Sequence, residues 1–147
     1  MILDDELKLG SAQAVTDTDA YMTNKIIDLG NVTPKRDLGA GEPMCLVFQV
    51  VVAADGSTDT TDLIAVDSEN ANLGSHEEVA KRRIPNADLV ADSLHIVPIP
   101  PGAIDLRYFG GRVELGSGDT ITVTCWLSLL KDVQQYDRYY ASGVEVD

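Results

Sequence analysis

Histidine and cysteine are both scarce in this chain of 147 residues. Its two histidines, His76 and His95, lie in separate segments, and neither is followed by a second ligand at metal-site spacing. The serines have no Gly-x-Ser-x-Gly context. We therefore expect no metal, no cofactor and no catalytic residue, which favours a binding protein over an enzyme.

Positive charge is also in short supply. Eleven Lys and Arg residues stand against 24 Asp and Glu residues, which gives a formal net charge of −13. Phosphate backbones and anionic membranes repel such a surface. We therefore expect neither a nucleic acid nor a membrane as a partner. The charge is compatible with a merely soluble surface, or with docking onto a basic patch.

Long apolar runs are missing as well. No segment approaches the roughly 20 apolar residues that span a bilayer. Residues 1–6 are acidic, whereas a secretory signal begins with a basic stretch. We expect a protein that is made and kept in a cytoplasm, unless it travels as part of a larger assembly. The length predicts one domain.

The two cysteines each lie inside an apolar, strand-like run. We interpret Cys45 and Cys125 as buried small hydrophobes in a reducing compartment. Sequence alone leaves open whether they form a disulfide.

Turn signals separate seven or eight strand-like segments, and no long segment has helical periodicity. This pattern predicts an all-β, antiparallel β-sandwich of jelly-roll type. We divide the chain into an N-terminal arm with one edge strand (residues 1–20), the jelly-roll domain (21–131) and a Tyr-rich C-terminal tail (132–147). Gly110-Gly111 is expected to break a strand, and Pro98 to place its segment along a sheet edge or outside the sheet. The segment 120–130 alternates: Ile121, Val123, Cys125, Leu127 and Leu129 are predicted to point inward, and Thr120, Thr122, Thr124, Trp126 and Ser128 outward.

The segment 44–54 is apolar on both faces. One face is predicted to carry Met44, Leu46, Phe48, Val50 and Val52, and the other Cys45, Val47, Val51 and Ala53. The outer face of a sandwich normally meets water, so an apolar outer face needs a cover. We expect another subunit to provide it. The protein is therefore predicted to form a homo-oligomer, a dimer or trimer, with Met44 and Phe48 at its interface.

Further interface candidates are basic or aromatic, because such residues are enriched at binding hot spots. The cluster Lys81-Arg82-Arg83 is either a contact for an acidic neighbour or a solvated loop face. The tail is either a projecting arm or folded back on its own domain. The remaining candidates are Arg107, Tyr108, Trp126, Tyr136, Tyr139 and Tyr140.

Several stretches taken in order resemble a family of capsid cement proteins of tailed bacteriophages. They are Met1-Ile2-Leu3-Asp4, Asp28-Leu29-Gly30, Arg36-Asp37-Leu38-Gly39-Ala40-Gly41-Glu42-Pro43, Val97-Pro98-Ile99-Pro100-Pro101-Gly102, Trp126-Leu127, Asp132-Val133-Gln134-Gln135-Tyr136 and Tyr140-Ala141-Ser142-Gly143. The resemblance implies a jelly-roll homo-oligomer on the outside of a phage head. Its partner would be the major capsid protein, and its role would be to bridge capsomers. No catalytic residue or cofactor is implied.

The alternative is a carbohydrate- or receptor-binding jelly-roll module of a virion. Such a module needs exposed aromatic side chains beside polar ones in a concave site. Trp126, Tyr108 and Asp105 are the candidates. A cupin-type enzyme comes third, because the chain lacks the His-x-His and Glu cluster of that class.

Overall fold

A computed structural model describes residues 7–16, 18–31, 41–56 and 59–133 of the chain. Nine strands form in this part. They are β1 (Lys8–Val15), β2 (Asp19–Tyr21), β3 (Ile27–Asp28), β4 (Met44–Val52), β5 (Thr60–Ser68), β6 (Glu77–Pro85), β7 (Leu94–Pro98), β8 (Tyr108–Glu114) and β9 (Ile121–Leu129). A 3₁₀ turn, Asn86–Asp88, follows β6.

The strands form two antiparallel sheets. Sheet A has the order β1-β9-β4-β7, and sheet B the order β2-β8-β5-β6, with β3 paired to β8. The chain crosses between the sheets at most connections, but β2 to β3 and β5 to β6 stay within sheet B, where β5 and β6 pair as a hairpin. This order is the double Greek key of a jelly roll, and it confirms the predicted antiparallel sandwich.

The main core lies between the two sheets. Leu46, Phe48 and Val50 of β4 face it, as do Val123 and Cys125 of β9. These residues alternate with outward-facing ones, as predicted for both strands. Period-two alternation therefore assigned the inner face of β9 correctly, and separated the two faces of β4 correctly as far as Val50.

The outer face of sheet A is covered by the chain itself, which corrects the expectation that another subunit covers it. Cys45 and Val47 are fully buried there, beside Trp126 and Val133. Residues 130–133 form a helical turn that folds over this face. The second apolar face of β4 is therefore no evidence for an oligomer.

A β-bulge near the end of β4 also changes one predicted orientation. Val50 pairs with Val123 and Val52 with Thr122, so Val51 is an extra residue in the ladder. A single inserted residue moves every following side chain to the other face of a strand. Val52, predicted to share a face with Val50, is instead 57% exposed on the other side.

The predicted break at Gly110-Gly111 is wrong. Strand β8 runs through both glycines, and its register with β5 is continuous from Asp62 opposite Glu114 to Ser68 opposite Tyr108. Close packing explains the glycines. A Cβ on Gly110 would lie 2.6 Å from Cδ1 of Leu73, and one on Gly111 would lie 3.1 Å from Cγ of Met22.

The edge strands include the two that the sequence placed there. Strand β7, which contains Pro98, is one edge of sheet A. The other edge is β1, the strand anticipated within residues 1–20. Leu9 and Val15 of β1 are buried, so this part of the chain belongs to the sandwich. Residues 1–6 and the tail beyond residue 133 lie outside the described residues.

No helix within the described ranges is long and apolar enough to cross a membrane.

The cysteines are free thiols on opposite faces of sheet A, Cys125 inside the main core and Cys45 on the covered outer face. Burial raises the pKa of Cys45 to about 12 and that of Cys125 further still. Because the thiolate is the reactive form, we expect neither cysteine to react with Ellman's reagent at pH 8 in the folded protein. Both should react in denaturant. Rapid labelling of the native protein would contradict the buried positions.

Candidate protein interface

The outer face of sheet B carries two rows of paired side chains that run across four of its five strands. In the first row Asp19, Glu114, Asp62 and Arg83 lie side by side on β2, β8, β5 and β6. In the second row the corresponding residues are Tyr21, Arg112, Ile64 and Lys81. The register thus places three carboxylates beside three cations.

Arg112 is the centre of this face, and its side chain is 12% exposed. Its guanidinium donates to Oδ2 of Asp19 at 2.5 Å and also to Oε1 of Glu114. It lies over the Tyr21 ring, 5.5 Å from the centroid. Its Nε atom is buried, with no hydrogen-bond partner within the described residues. Arg112 therefore links β2 and β8 by charge and by ring contact.

His76 closes the same cluster from the loop between β5 and β6. Its Nδ1 lies 2.5 Å from the Tyr21 hydroxyl, and its Nε2 lies 3.3 Å from Nη1 of Arg112. A guanidinium can only donate, so Nε2 accepts that bond and the proton sits on Nδ1. The Tyr21 hydroxyl is then the acceptor for Nδ1–H.

Asp62 contacts two of the cations of β6. Arg83 donates to it through two nitrogens, at 2.8 and 3.1 Å, and Nζ of Lys81 lies 3.5 Å away. The Arg83 guanidinium is the main reason that the pKa of Asp62 is lowered. Arg82 projects from the opposite face of β6 and donates to the carbonyl of Ile96 in sheet A at 3.2 Å. The basic cluster is therefore split between two faces.

Arg107 and Tyr108 lie at one end of this face. Two nitrogens of Arg107 donate to the two oxygens of Asp28, each at 2.9 Å, and its guanidinium lies 5.0 Å from the Tyr108 ring centroid. The hydrogen bond from Arg107 is the main cause that lowers the pKa of Asp28 to about 2. Arg107 is thereby held in place beside the ring.

An apolar cluster fills the space between these polar groups. Ile64, Val66 and Leu73 are fully buried, although they lie on the outer side of the sheet. The half-buried side chains packed against them are Tyr21, Ile26 and Tyr108. The result is a rigid face of buried aliphatic groups, with aromatic rings and arginines at its surface. This is the composition that favours a protein contact.

The sequence model of the family Bbp16 matches residues 9–124. The chain belongs to the Bbp16 family. The matched range begins in β1 and ends within β9, so it includes both sheets and every residue of the two rows. No curated protein matches the chain.

Several interface residues predicted from the sequence lie elsewhere in this Bbp16 family member. Met44 packs against the main core and Phe48 is fully buried in it, so Phe48 is not available to a partner. Trp126 is 4% exposed on the outer face of sheet A, and its Nε1 has no hydrogen-bond partner in the described part of the chain. Tyr136, Tyr139 and Tyr140 lie outside the described residues.

The two aromatic residues predicted for a carbohydrate site, Trp126 and Tyr108, do not lie together. Trp126 belongs to the cluster on the outer face of sheet A, whereas Tyr108 packs on the outer face of sheet B. In the four described ranges no group of three or more His, Cys, Asp or Glu side chains is arranged to hold a metal ion.

Sequence reasoning missed the residues at the centre of the candidate face. Tyr21, His76 and Arg112 are separated by 55 and 36 residues along the chain. One local signal was present, because Asp19 with Tyr21 and Arg112 with Glu114 have the spacing of two that puts side chains on one strand face. Pairing β2 with β8 required the register, which the sequence does not display.

Replacing Arg112 should destabilise the Bbp16-family fold. Arg112→Met leaves Asp19 and Glu114 close together without their cation, and we expect the free energy of unfolding to fall by about 2 kcal/mol. Arg112→Lys keeps the charge but not the planar fork, so a smaller loss is expected. Urea denaturation of the three proteins measures both effects. Equal stability of wild type and Arg112→Met would show that the cluster contributes nothing to the fold.

A pH effect on stability is predicted from Asp119, which lies in the loop between β8 and β9. Its carboxylate is 6% exposed and accepts a hydrogen bond from Nδ2 of Asn86 at 3.0 Å. Burial, and then the charge of Asp59, raise its pKa. A raised carboxyl pKa stabilises the fold at acidic pH, and that contribution is lost as pH rises through the folded-state value.

Asp119→Asn should therefore be more stable than wild type at pH 7, with the advantage shrinking as pH falls below the raised pKa. Urea midpoints between pH 4 and pH 7 test this. Asp88→Asn, which changes an exposed carboxylate nearby, serves as the control. A midpoint difference that does not vary with pH would contradict the assignment to Asp119.

Proposed function

We propose that this Bbp16-family protein is a structural component of a phage particle. In this proposal it is a cement protein on the outside of the head, where it forms a homo-oligomer and bridges neighbouring capsomers of the major capsid protein. The proposal is carried by the family match across both sheets of the jelly roll, because the family name suggests a relation to phages. The resemblance of the sequence to capsid cement proteins supports the finer assignment.

The outer face of sheet B supplies a physical reason to expect a protein partner. Arg107 and Arg112 are already fixed by Asp28, Asp19 and Glu114. Ordering such long side chains on binding costs conformational entropy, and pre-ordered ones avoid much of that cost. Many copies on one shell then multiply modest contacts into firm attachment.

The solution properties agree with this role. A net charge of −13 keeps the free protein soluble before assembly. The proposal of a homo-oligomer rests on the resemblance to cement proteins, since the chain covers the outer face of sheet A by itself.

An add-back experiment tests the role. Heads are purified from a phage that lacks the gene, and DNA release on heating is recorded with and without purified protein. We expect the protein to raise the temperature of release. The double variant Arg107→Ala with Tyr108→Ala should do so less effectively. Lys131→Ala, which removes an exposed ion pair with Glu42, should act like wild type.

Unchanged release temperature at saturating protein would contradict a cement role. Selective binding to host glycans instead would favour a receptor-binding module of the virion.

A further inference from the structure

The exposed large apolar side chains of the described residues are Val51, Val52 and Val90, at 41%, 57% and 54% exposure. Single exposed apolar residues are ordinary on protein surfaces. These three occur together, at the end of sheet A where β4 finishes. We refer to Val51, Val52 and Val90 as the valine patch.

The β-bulge in β4 exposes two of the three valines of the valine patch, Val51 and Val52. In a regular strand without the bulge, Val52 would continue the alternation of Leu46, Phe48 and Val50 and face the core. With the insertion, Val52 lies on the outer side, opposite Thr122. Bulges commonly re-aim side chains at functional sites. Here the bulge turns a core-type residue toward solvent.

A tight turn holds the third valine beside the first two. The amide of Asp92 donates to the carbonyl of Val50 at 2.8 Å, and the amide of Ala54 donates to the carbonyl of Leu89 at 3.1 Å. The segment 89–93 therefore runs antiparallel beside residues 50–54, and both Val90 and Val52 lie between these two hydrogen bonds. The hydroxyl of Ser93 donates to the carbonyl of Val90 at 2.6 Å and secures the turn.

Negative charge surrounds the valine patch. Asp88 and Asp92 flank Val90 in the sequence, and neither forms an ion pair with any other described residue. Asp55 follows shortly after Val52, and its carboxylate accepts from the amide of Thr120 at 2.5 Å. No Lys or Arg occurs between residues 37 and 80 or between 84 and 106. The cations of the outer face of sheet B belong to other parts of the molecule.

We propose that the valine patch docks a protein segment that presents an aliphatic side chain flanked by lysine or arginine. The aliphatic group would cover the three valines, and the cations would neutralise Asp88 and Asp92 at the rim. Such a contact has the apolar centre and polar rim of a specific interface, and its charges would accelerate encounter. This inference deepens the proposed function, on which it rests, by naming a second contact surface apart from the outer face of sheet B.

A peptide titration tests the chemistry of the patch directly. The probe is acetyl-Lys-Leu-Lys-Leu-Lys-amide, added to ¹⁵N,¹³C-labelled full-length protein and followed by NMR. We expect chemical-shift changes that are confined to the methyl groups of the valine patch and to the backbone amides of residues 50–55 and 88–93. The changes should weaken as salt is raised, because the rim contacts are exposed charges.

Variants separate the apolar and charged contributions. The triple threonine variant, which combines Val51→Thr, Val52→Thr and Val90→Thr, keeps the β-branched shape of each side chain. It should weaken peptide binding at least about tenfold. Asp88→Asn with Asp92→Asn should weaken binding mainly at low salt. Glu77→Gln with Glu78→Gln makes the same charge change at the other end of β6 and should leave binding unchanged. Thermal unfolding of each variant checks that the fold is kept.

The outcomes distinguish this inference from the proposed function. Absent or scattered shift changes would overturn the docking surface. Concentration-dependent self-association that the triple threonine variant abolishes would also overturn it, since the occupant would then be a second copy. Binding of the triple variant to phage heads with wild-type affinity would remove the patch from the shell contact and leave the cement role standing. Failure of wild type to bind heads, with the peptide still docking, would instead count against the cement role alone.

Discussion

Phe48→Ala is expected to lower the free energy of unfolding by about 3–5 kcal/mol, because it leaves a large cavity between the two sheets. Phe48 is fully buried on β4, the strand that pairs with both β7 and β9. Domains of this size are stable by only about 5–15 kcal/mol. Denaturant unfolding of the isolated protein measures the loss.

Val52→Ala is the matched control for Phe48→Ala on the same strand. Val52 is 57% exposed beyond the bulge, so its truncation should change stability by less than about 0.5 kcal/mol. The pair of variants also separates a core role from an interface role. If Phe48→Ala unfolded like wild type but failed only in assembly, Phe48 would be an interface residue, as its sequence pattern first indicated.

The second large effect is expected for Gly111→Val, which should lower the free energy of unfolding by about 3 kcal/mol because the core becomes overpacked. An added Cβ would lie 3.1 Å from Cγ of Met22 and 3.2 Å from Sγ of Cys125. Both neighbours are fully buried, so they have little room to move. Thermal or denaturant unfolding of the variant tests the prediction.

Gly41→Val serves as the control for the second substitution. A Cβ at Gly41 meets nothing within 4 Å, and its backbone is outside the region that favours glycine. Its replacement should leave stability nearly unchanged. Similar stability of Gly111→Val and Gly41→Val would mean that β8 is not packed against the core at Gly111.

Local patterns predicted much of the sandwich because strand periodicity is a property of neighbouring residues. Alternation placed Cys125 and Val123 inward and Trp126 outward, and proline chemistry placed Pro98 on an edge strand. The double apolar pattern of β4 correctly indicated that both of its faces are covered. The cover on the outer face includes Val133, a residue too distant in sequence for the pattern to identify.

The features that sequence did not predict depend on pairing between distant segments. The bulge at Val51 is defined by the register with β9, and the passage of β8 through Gly110 and Gly111 depends on Leu73 and Met22 packing against it. Arg112 finds Asp19 and His76 only when β2 and the loop before β6 meet β8. Such contacts arise from topology, which single-strand patterns do not encode.

The most direct test of the proposed role is a cryo-electron microscopy reconstruction of the phage head on which the proposal places this Bbp16-family protein. The proposal predicts jelly-roll density on the outside of the shell, repeated with the icosahedral lattice and in contact with neighbouring capsomers. Head density without this protein, together with its presence on a tail fibre or its absence from the particle, would contradict the cement role.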